Sequence, residues 1–411
     1  MEEAAIVDGR PAWARLALVL LAGAIGNVGM WAYVVMLPAV QADFGAVRGA
    51  ASLPYTVTML GFALGNLVIG RIADRIGLAR ALALSALVQG AGFLAAALAP
   101  SLGAMAAAQA AIGFGSAACF GPLIADISFW FRRRRGIAVA VAASGNYLAG
   151  AIWPLLLSNL LQAQGWRALC LVLAPAIVAG LLPLAWMLRA GRPLQSAADT
   201  AAEAVRTAGT GMHPRTLLIV LALSGLGCCV AMSMPQVHIV PYCVDLGYGP
   251  AVGAEMLALM LAGGVVSRLA SGVVADRLGG VKTLLIGASL QALALVLYLP
   301  AGSMVSLYAV SLIFGLSQGG IVPSYALIVR DYLPAREAGA RVGLVIMATI
   351  LGMALGGWMS GALYDATGSY RAAFLNGLAW NLIPIAAMVW LLRAGGGHAG
   401  FSSENPAAQR P

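Results

Sequence analysis

The chain has 411 residues, of which 61% are hydrophobic and only 9% are charged, and its mean hydropathy is +0.90. A soluble globular protein carries about 25% charged residues, so this composition excludes a protein whose whole surface meets water. The net charge of +9 is spread over short segments between apolar runs, which favours contact with lipid headgroups over binding of nucleic acid.

Apolar runs of about 20 residues, each long enough to cross ~30 Å of hydrocarbon as a helix, recur along the sequence. The runs are continuously apolar rather than alternating, and a helix satisfies its own backbone hydrogen bonds in lipid, so helices are favoured over strands. In chain order the predicted spans cover residues 13–37, 51–73, 81–99, 102–127, 136–162, 167–189, 215–243, 252–275, 282–300, 305–329, 339–364 and 370–393. We therefore predict an all-α integral membrane protein with twelve transmembrane helices.

The basic residues indicate how these spans are oriented. Of the 24 lysines and arginines, three lie in loops on one side of the predicted layer, namely Arg48, Arg167 and Arg371. Arg268 lies inside a span, and the others lie at the termini or in loops on the opposite side. Because loops rich in Lys and Arg stay on the cytoplasmic side, both termini are predicted to be cytoplasmic.

The most polar segment, residues 190–214, divides the spans into two groups of six. We predict an N-terminal six-helix bundle over residues 1–189 and a C-terminal six-helix bundle over residues 215–393. Residues 190–214 are then a cytoplasmic linker, and residues 394–411 are a cytoplasmic tail.

Several short motifs occur twice at a constant spacing. The motif GRIADRIGLAR at 70–80 is echoed by GVVADRLGGVK at 272–282, which is 202 residues later. The segment GFGSAACFGP at 113–122 lies the same distance before GLSQGGIVPS at 315–324. A repeat of this length indicates that the second bundle copies the first in the same order.

Two parallel six-helix repeats resemble the plan of the major facilitator superfamily, which implies a substrate site near the membrane midplane between the halves. The duplicated motif resembles the cytoplasmic loop motif of that family, which locks the inner gate in the outward-open state. The resemblance implies gating roles for two glycines that would allow close helix approach and for the charged residues around them: Gly70, Asp74, Arg75, Arg80, Gly272, Asp276, Arg277 and Lys282. A tight basic loop that only sets the topology is the alternative.

Asp126 lies near the cytoplasmic end of the fourth span, shortly before the basic run. We expect it to be a gate partner of the motif arginines, and a proton carrier is the alternative role. Asp331, after the tenth span, is its approximate counterpart in the second half.

Arg268 is the one basic residue that cannot be assigned to a loop or a helix end. It lies about two helical turns, ~12 Å, inside the boundary marked by Asp276. An arginine there costs at least ~2.5 kcal/mol on insertion, and such residues mostly face a cavity and mark a transport path. Snorkelling to the interface is the alternative.

The sequence around Arg268 offers it no counter-charge. The position 202 residues earlier is Asn66, and neither Gly264 nor Leu261, one and two turns before Arg268, is acidic. An unpaired buried cation predicts an anionic substrate and disfavours a cationic one.

The segment FWFRRRRGIAVAVAASGNYLAG at 129–150 resembles the helix 4–5 signature of the monocarboxylate-porter and oxalate:formate-antiporter branch of the superfamily. In that branch an arginine of the eighth helix binds the substrate carboxylate, which implies the same role for Arg268. The sequence departs from the branch where animal monocarboxylate porters have an aspartate one turn before the arginine, because Gly264 stands there. The lone lysine, Lys282, is in a loop, so no second cationic clamp is implied and a single carboxylate is the simpler substrate.

Other polar and aromatic residues inside the spans are weaker candidates for substrate contact. Amides in lipid need partners and a histidine can carry a proton, whereas helix packing is the alternative role for each aromatic ring. The candidates are Tyr33, Tyr55, Asn146, Tyr147, Gln236, His238, Gln318 and Tyr325, with Trp31, Trp153 and Trp358 as apolar walls.

Together these features predict a secondary transporter that moves a small organic anion, most simply a monocarboxylate, by alternating access, with proton coupling and exchange both left open. A drug or antibiotic exporter of the same fold is the alternative. We predict neither an enzyme nor a cofactor, because the chain has no nucleophile–base set, phosphate loop or metal-binding cysteine spacing. We expect a functional monomer in a bacterial cytoplasmic (inner) membrane, with a small carboxylate and membrane lipid as partners and no nucleic acid.

Overall fold

The computed structural model describes residues 7–131, 133–189, 214–332 and 335–396, and every regular element in these ranges is a helix. The helices are α1 (Arg10–Gly26), α2 (Val28–Asp43), α3 (Arg48–Ile76), α4 (Leu78–Ala97), α5 (Leu102–Ser116), α6 (Gly121–Ile127), α7 (Arg135–Ala143), α8 (Gly145–Met187), α9 (Pro214–Asp245), α10 (Pro250–Tyr298), α11 (Met304–Gln318), α12 (Ile321–Tyr332), α13 (Ala335–Thr367) and α14 (Tyr370–Gly396). A short 3-10 helix, Ala117–Cys119, lies between α5 and α6. The prediction of an all-α protein is confirmed for these ranges.

Ten helical segments in the described ranges are long and apolar enough to cross a membrane. Two of them, Gly136–Met187 and Pro250–Tyr298, are 52 and 49 residues long, and each covers nearly all of two predicted spans. A straight helix of ~50 residues would measure ~75 Å, more than twice the ~30 Å hydrocarbon layer. Each segment leaves helical geometry at one glycine, Gly165 (φ 79°, ψ 172°) or Gly279 (φ 79°, ψ 165°). The count of twelve crossings depends on a change of direction at these glycines and stays a prediction.

The predicted linker lies almost wholly outside the described residues, which include only Pro214 of the segment 190–214. Residues 397–411 of the predicted tail and the side chain of Asp331 also lie outside them. The bundle boundaries and the cytoplasmic location of both termini therefore stay predictions.

The internal repeat is visible in the backbone. Gly77 and Gly279 occupy the same place in the two copies of the motif, and both have positive φ, 88° and 79°, with extended ψ, 152° and 165°. Side chains other than glycine rarely adopt this conformation. Gly113 and Gly315 also correspond. A Cβ added to Gly113 would lie 2.0 Å from a carbonyl oxygen of α3, and a Cβ added to Gly315 would lie 2.0 Å from a carbonyl oxygen of α10. Small residues thus let α5 pack on α3 as α11 packs on α10.

The two halves meet closely at one end of the molecule. Where α3 begins, Gly49 approaches the backbone of α13 so closely that an added Cβ would lie 3.2 Å from Cα of Ala362. Where α3 ends, and at the corresponding place in α10, a Cβ added at Gly70 or Gly272 would have no atom within 4 Å. The molecule is therefore closed at the end that carries the start of α3, which the charge pattern predicts to be extracellular.

Candidate functional site

A cavity of about 80 Å³ lies between the two halves. Most of its lining is apolar, and Arg268 carries the one charge among the described residues that line it. The N-terminal half contributes Met30, Trp31, Met59, Phe62, Phe120, Asn146 and Tyr147, and the C-terminal half contributes Cys229, Met232, Gln236, Arg268, Val322, Ile346, Thr349, Ile350 and Met353. The two halves thus enclose a small space around a cation.

Arg268 is 5% exposed and makes main-chain hydrogen bonds to both halves. Its Nε donates to the carbonyl oxygen of Gly319 at 3.2 Å, and its Nη1 donates to that of Ala143 at 2.6 Å. The guanidinium carbon lies 4.1 Å from the centroid of the Tyr147 ring, which is a cation–π contact. Within the described ranges, no carboxylate pairs with the guanidinium. The charge is therefore desolvated but not neutralised.

Gly264 explains why the Tyr147 ring can lie beside Arg268. A Cβ at position 264 would lie 3.1 Å from both Cδ2 and Cε2 of that ring. A larger residue, such as the aspartate of the animal monocarboxylate porters, would displace the ring, because packed interiors leave little space for added atoms. The Tyr147 ring thus lies where that branch has an aspartate, and no carboxylate at position 264 balances the charge of Arg268.

Asn146 lies at the cavity wall together with Trp31. The indole Nε1 of Trp31 donates to the main-chain oxygen of Asn146 at 3.0 Å and to its Oδ1 at 3.1 Å, which ties α2 to the start of α8. The other two predicted tryptophan walls lie elsewhere. Trp153 donates to the carbonyl oxygen of Ala24 at 2.8 Å, and Trp358 is 40% exposed.

Gln318 lies behind the cavity wall rather than on it. Its Oε1 accepts a hydrogen bond of 2.6 Å from Nε2 of Gln236, which does line the cavity. Its own Nε2 is buried without a hydrogen-bond partner in the described part of the chain, and it lies 3.6 Å from the place of a Cβ on Gly264. A buried amide donor of this kind is satisfied by an added oxygen acceptor.

Three predicted substrate contacts are not among the residues that line this cavity. Tyr33 is fully buried and donates to the carbonyl oxygen of Ala51 at 2.6 Å within the N-terminal half. Tyr325 is fully buried in α12. His238 lies at the closed end, with Nε2 2.8 Å from the carbonyl oxygen of Gly357. These residues do not line the cavity in this conformation, and their contact with a substrate stays a prediction.

The charged residues of the duplicated motif lie at the surface. Asp74, Arg75, Arg80, Asp276, Arg277 and Lys282 are all exposed. Gly70 and Gly272, expected to allow close helix approach, have open space beside them instead. The reason is that the halves close at the opposite end of α3, so these glycines serve no helix contact in this conformation. Their gating role stays a prediction for another conformation.

Asp126 forms a buried ion pair with a partner that was not expected from the sequence. Its Oδ2 accepts a hydrogen bond of 2.7 Å from Nε of Arg15 in α1, and both residues are buried. Arg15 also donates from Nη2 to the carbonyl oxygen of Leu188 at 3.2 Å and lies 4.5 Å from the ring centroid of Trp130. This partner of Asp126 is thus an arginine of its own half, whereas the motif arginines lie exposed at the surface.

No group of three or more His, Cys, Asp or Glu side chains is placed to hold a metal ion within the described ranges. The five cysteines are buried free thiols, and Cys229 is one of the residues that line the cavity. What the cavity offers a ligand is a cation, two amides and the polar groups of Tyr147, Cys229 and Thr349, set among apolar walls.

The sequence matches the Major Facilitator Superfamily over residues 19–339 and 239–411. Monocarboxylate transporter 13 of Bos taurus is 27% identical over 377 residues, which are 90% of this chain and 86% of that protein. Monocarboxylate transporter 11 of Mus musculus is 34% identical over 279 residues, which are 64% of this chain and 61% of that protein. An agnestins efflux protein of Paecilomyces divaricatus is 23% identical over 259 residues, which are 62% of this chain and 58% of that protein.

The fold also resembles a crystal structure of a bacterial homologue of the human lysosomal transporter Spinster in an inward-facing, unoccupied conformation. The TM-score is 0.70 at 13% identity, over 93% of this chain and 97% of that one. At this identity the likeness shows the fold alone. Because the all-helical fold, the membrane-length helices and a family match along the chain agree, this multi-pass membrane transporter belongs to the Major Facilitator Superfamily and has monocarboxylate transporters among its relatives.

Proposed function

We propose that this transporter carries a small organic anion, most simply a monocarboxylate, and that Arg268 binds its carboxylate group. The observation that carries the proposal is a buried guanidinium in a cavity between the halves, in contact with neutral groups of the described chain. A buried charge without a counter-charge is costly, so entry of an anion stabilises a cavity of this kind.

The guanidinium has donors available for a carboxylate. Two of its nitrogens, Nε and Nη1, donate to the neutral carbonyl oxygens of Gly319 and Ala143. Paired hydrogen bonds from arginine to a carboxylate are stronger than hydrogen bonds to neutral acceptors, so a substrate carboxylate would displace the Ala143 carbonyl from Nη1. Ala143 belongs to the N-terminal half and Arg268 to the C-terminal half, so substrate binding would loosen one link between them.

The rest of the lining favours a short organic chain with one carboxylate. Met30, Phe62 and Met232 supply apolar walls, and Asn146 and Gln236 supply amide groups. One carboxylate balances the single charge of the described lining, whereas a second would be buried without a counter-charge. The two monocarboxylate transporters among the relatives support this substrate class.

The transport cycle that we propose is alternating access, in which the two six-helix bundles rock about the cavity and the duplicated motif closes the end opposite to the one that is closed here. The substrate crosses either with a proton or in exchange for another anion. The transporter acts in a bacterial cytoplasmic membrane, and a monomer suffices because one chain supplies both walls of the cavity.

A thermal-shift screen of the purified protein tests the proposal with small monocarboxylates, dicarboxylates and lipophilic drugs as ligands. A ligand at ~100 times its Kd adds about 2.7 kcal/mol to the stability of the state that binds it. We expect monocarboxylates to raise the Tm of wild type but not of Arg268→Gln. Arg167→Gln is the matched control, because Arg167 is 45% exposed and pairs with Asp43 away from the cavity. Equal shifts in wild type and Arg268→Gln would show that Arg268 is not the anion site.

Drug or antibiotic export is the second candidate function. The efflux protein among the relatives and the predominance of apolar side chains in the cavity favour it. The same screen separates the two functions. An exporter of lipophilic compounds would show Tm shifts with those compounds in wild type and Arg268→Gln alike, and none with carboxylates.

A further inference from the structure

Arg48 was assigned to a loop from the sequence, but it is buried where α3 begins, at the closed end of the molecule. It is 7% exposed. Its Nη2 donates to Oδ1 of Asp245 at 3.0 Å, and its Nη1 donates to the hydroxyl of Tyr370. The guanidinium carbon lies 4.8 Å from the ring centroid of Tyr364. All three partners belong to the C-terminal half, while Arg48 belongs to the N-terminal half.

Asp365 joins the same two halves through the backbone. Its Oδ1 accepts from the N–H of Arg48 at 2.8 Å, and its Oδ2 accepts from the N–H of Gly49 at 2.6 Å. The first N–H groups of a helix have no partner within the helix, and a carboxylate there is also favoured by the helix dipole. The N-cap residue of α3, Val47, supplies no side-chain hydrogen bond. The other half therefore caps this helix.

We propose that Arg48, Asp245, Asp365 and Tyr370 form a latch that holds the transport path shut at the end predicted to be extracellular, and that opens in each cycle. The proposal rests on the transporter function of the family and is independent of the substrate. We call these four residues the Arg48 latch. Its hydrogen bonds connect α3 with α9, α13 and α14, so the halves cannot separate at this end while the latch is intact.

The bonds of the latch are suited to opening and closing. They join helix ends, where water can replace each partner once the halves part, so opening leaves no polar group buried without a partner. The internal repeat supports a special role for Asp245. Its counterpart 202 residues earlier, Asp43, pairs with Arg167 of its own half, and the two side chains of that pair are 42% and 45% exposed. Asp245 pairs across the halves instead, with the Arg48 side chain only 8% exposed.

The test uses Cys229 as a reporter, because it lines the cavity beyond the latch. The other four cysteines are replaced by alanine, and right-side-out membrane vesicles are treated with the membrane-impermeant reagent sulfonatoethyl methanethiosulfonate. We expect Arg48→Gln to raise the labelling rate of Cys229 about tenfold by shifting the population toward the open latch. In inside-out vesicles the rate should not rise, because the reagent then approaches from the other end.

Asp43→Asn and Arg167→Gln are the matched controls, since they break the corresponding exposed pair and should leave the labelling rate unchanged. If Arg48→Gln does not reach the membrane, Asp245→Asn decides the question, because it removes one charge and keeps the side-chain size. A labelling rate equal to that of wild type, or an equal rise from both sides of the membrane, would overturn the latch. Because the readout needs no substrate, these results are separate from the outcome of the Arg268 screen.

Discussion

The two halves share a backbone plan but anchor their interrupted helices with different side chains. In the N-terminal half, Oδ1 of Asn66 accepts a hydrogen bond of 3.2 Å from the N–H of Gly121. In the C-terminal half, Nε of Arg268, 202 residues later, donates to the carbonyl oxygen of Gly319 at 3.2 Å. Both side chains satisfy a main-chain group where the neighbouring helix is interrupted. The arginine also brings a charge to the cavity.

A second difference lies in the interior of each bundle. Arg15 and Asp126 form a buried ion pair in the N-terminal half. The corresponding residues 202 positions later, Leu217 and Ile328, are also buried but apolar. The N-terminal half thus has an ion pair where the C-terminal half has two apolar side chains. The comparison teaches that glycines and helix contacts repeat because both bundles need them, whereas the charged residues that differ between the copies are the candidates for function or for a state-dependent contact.

The largest expected effect comes from breaking the buried ion pair. Asp126→Ala should lower the free energy of unfolding by about 3–5 kcal/mol, because it leaves the Arg15 guanidinium buried without this carboxylate. The double variant Arg15→Leu/Asp126→Ile, which copies the C-terminal half, should recover most of that loss. Denaturant unfolding of the purified protein in detergent measures both. A double variant less stable than Asp126→Ala would show that the two halves pack differently at this site.

The second-largest expected effect concerns the backbone conformation that the two halves share at Gly77 and Gly279. Gly77→Ala and Gly279→Ala should each lower the free energy of unfolding by about 1–3 kcal/mol, and by similar amounts, because both positions have the positive φ and extended ψ that disfavour a Cβ. Gly70→Ala and Gly272→Ala are the controls. They lie within helices with open space beside them, so alanine should raise stability by about 0.5–1 kcal/mol. Unequal losses at Gly77 and Gly279 would contradict the structural repeat.

Much of this fold was predictable from the sequence because apolar length and repeat spacing act over many residues. The all-helical character, the repeat and the position of Arg268 in a cavity lining followed from such patterns. The contacts of individual polar side chains did not. The partners of Arg48 lie in three helices far along the chain, and Asp126 pairs with Arg15 across 111 residues. The repeat did contain a signal for the Arg15–Asp126 pair, because the residues 202 positions later, Leu217 and Ile328, are both apolar.

The smallest expected effect is a change in carboxylate affinity, and it distinguishes the roles of the corresponding residues Asn66 and Arg268. Arg268→Lys keeps the charge but loses the planar fork, so it should weaken carboxylate binding about tenfold, less than the loss with Gln. Asn66→Ala is the matched control, since it removes the corresponding main-chain anchor and should cost about 1 kcal/mol of stability without changing carboxylate affinity. Half-maximal concentrations from carboxylate titrations of the thermal shift measure both. If Asn66→Ala weakens binding as much as Arg268→Lys does, then the anchoring of the interrupted helices, rather than the guanidinium, determines affinity.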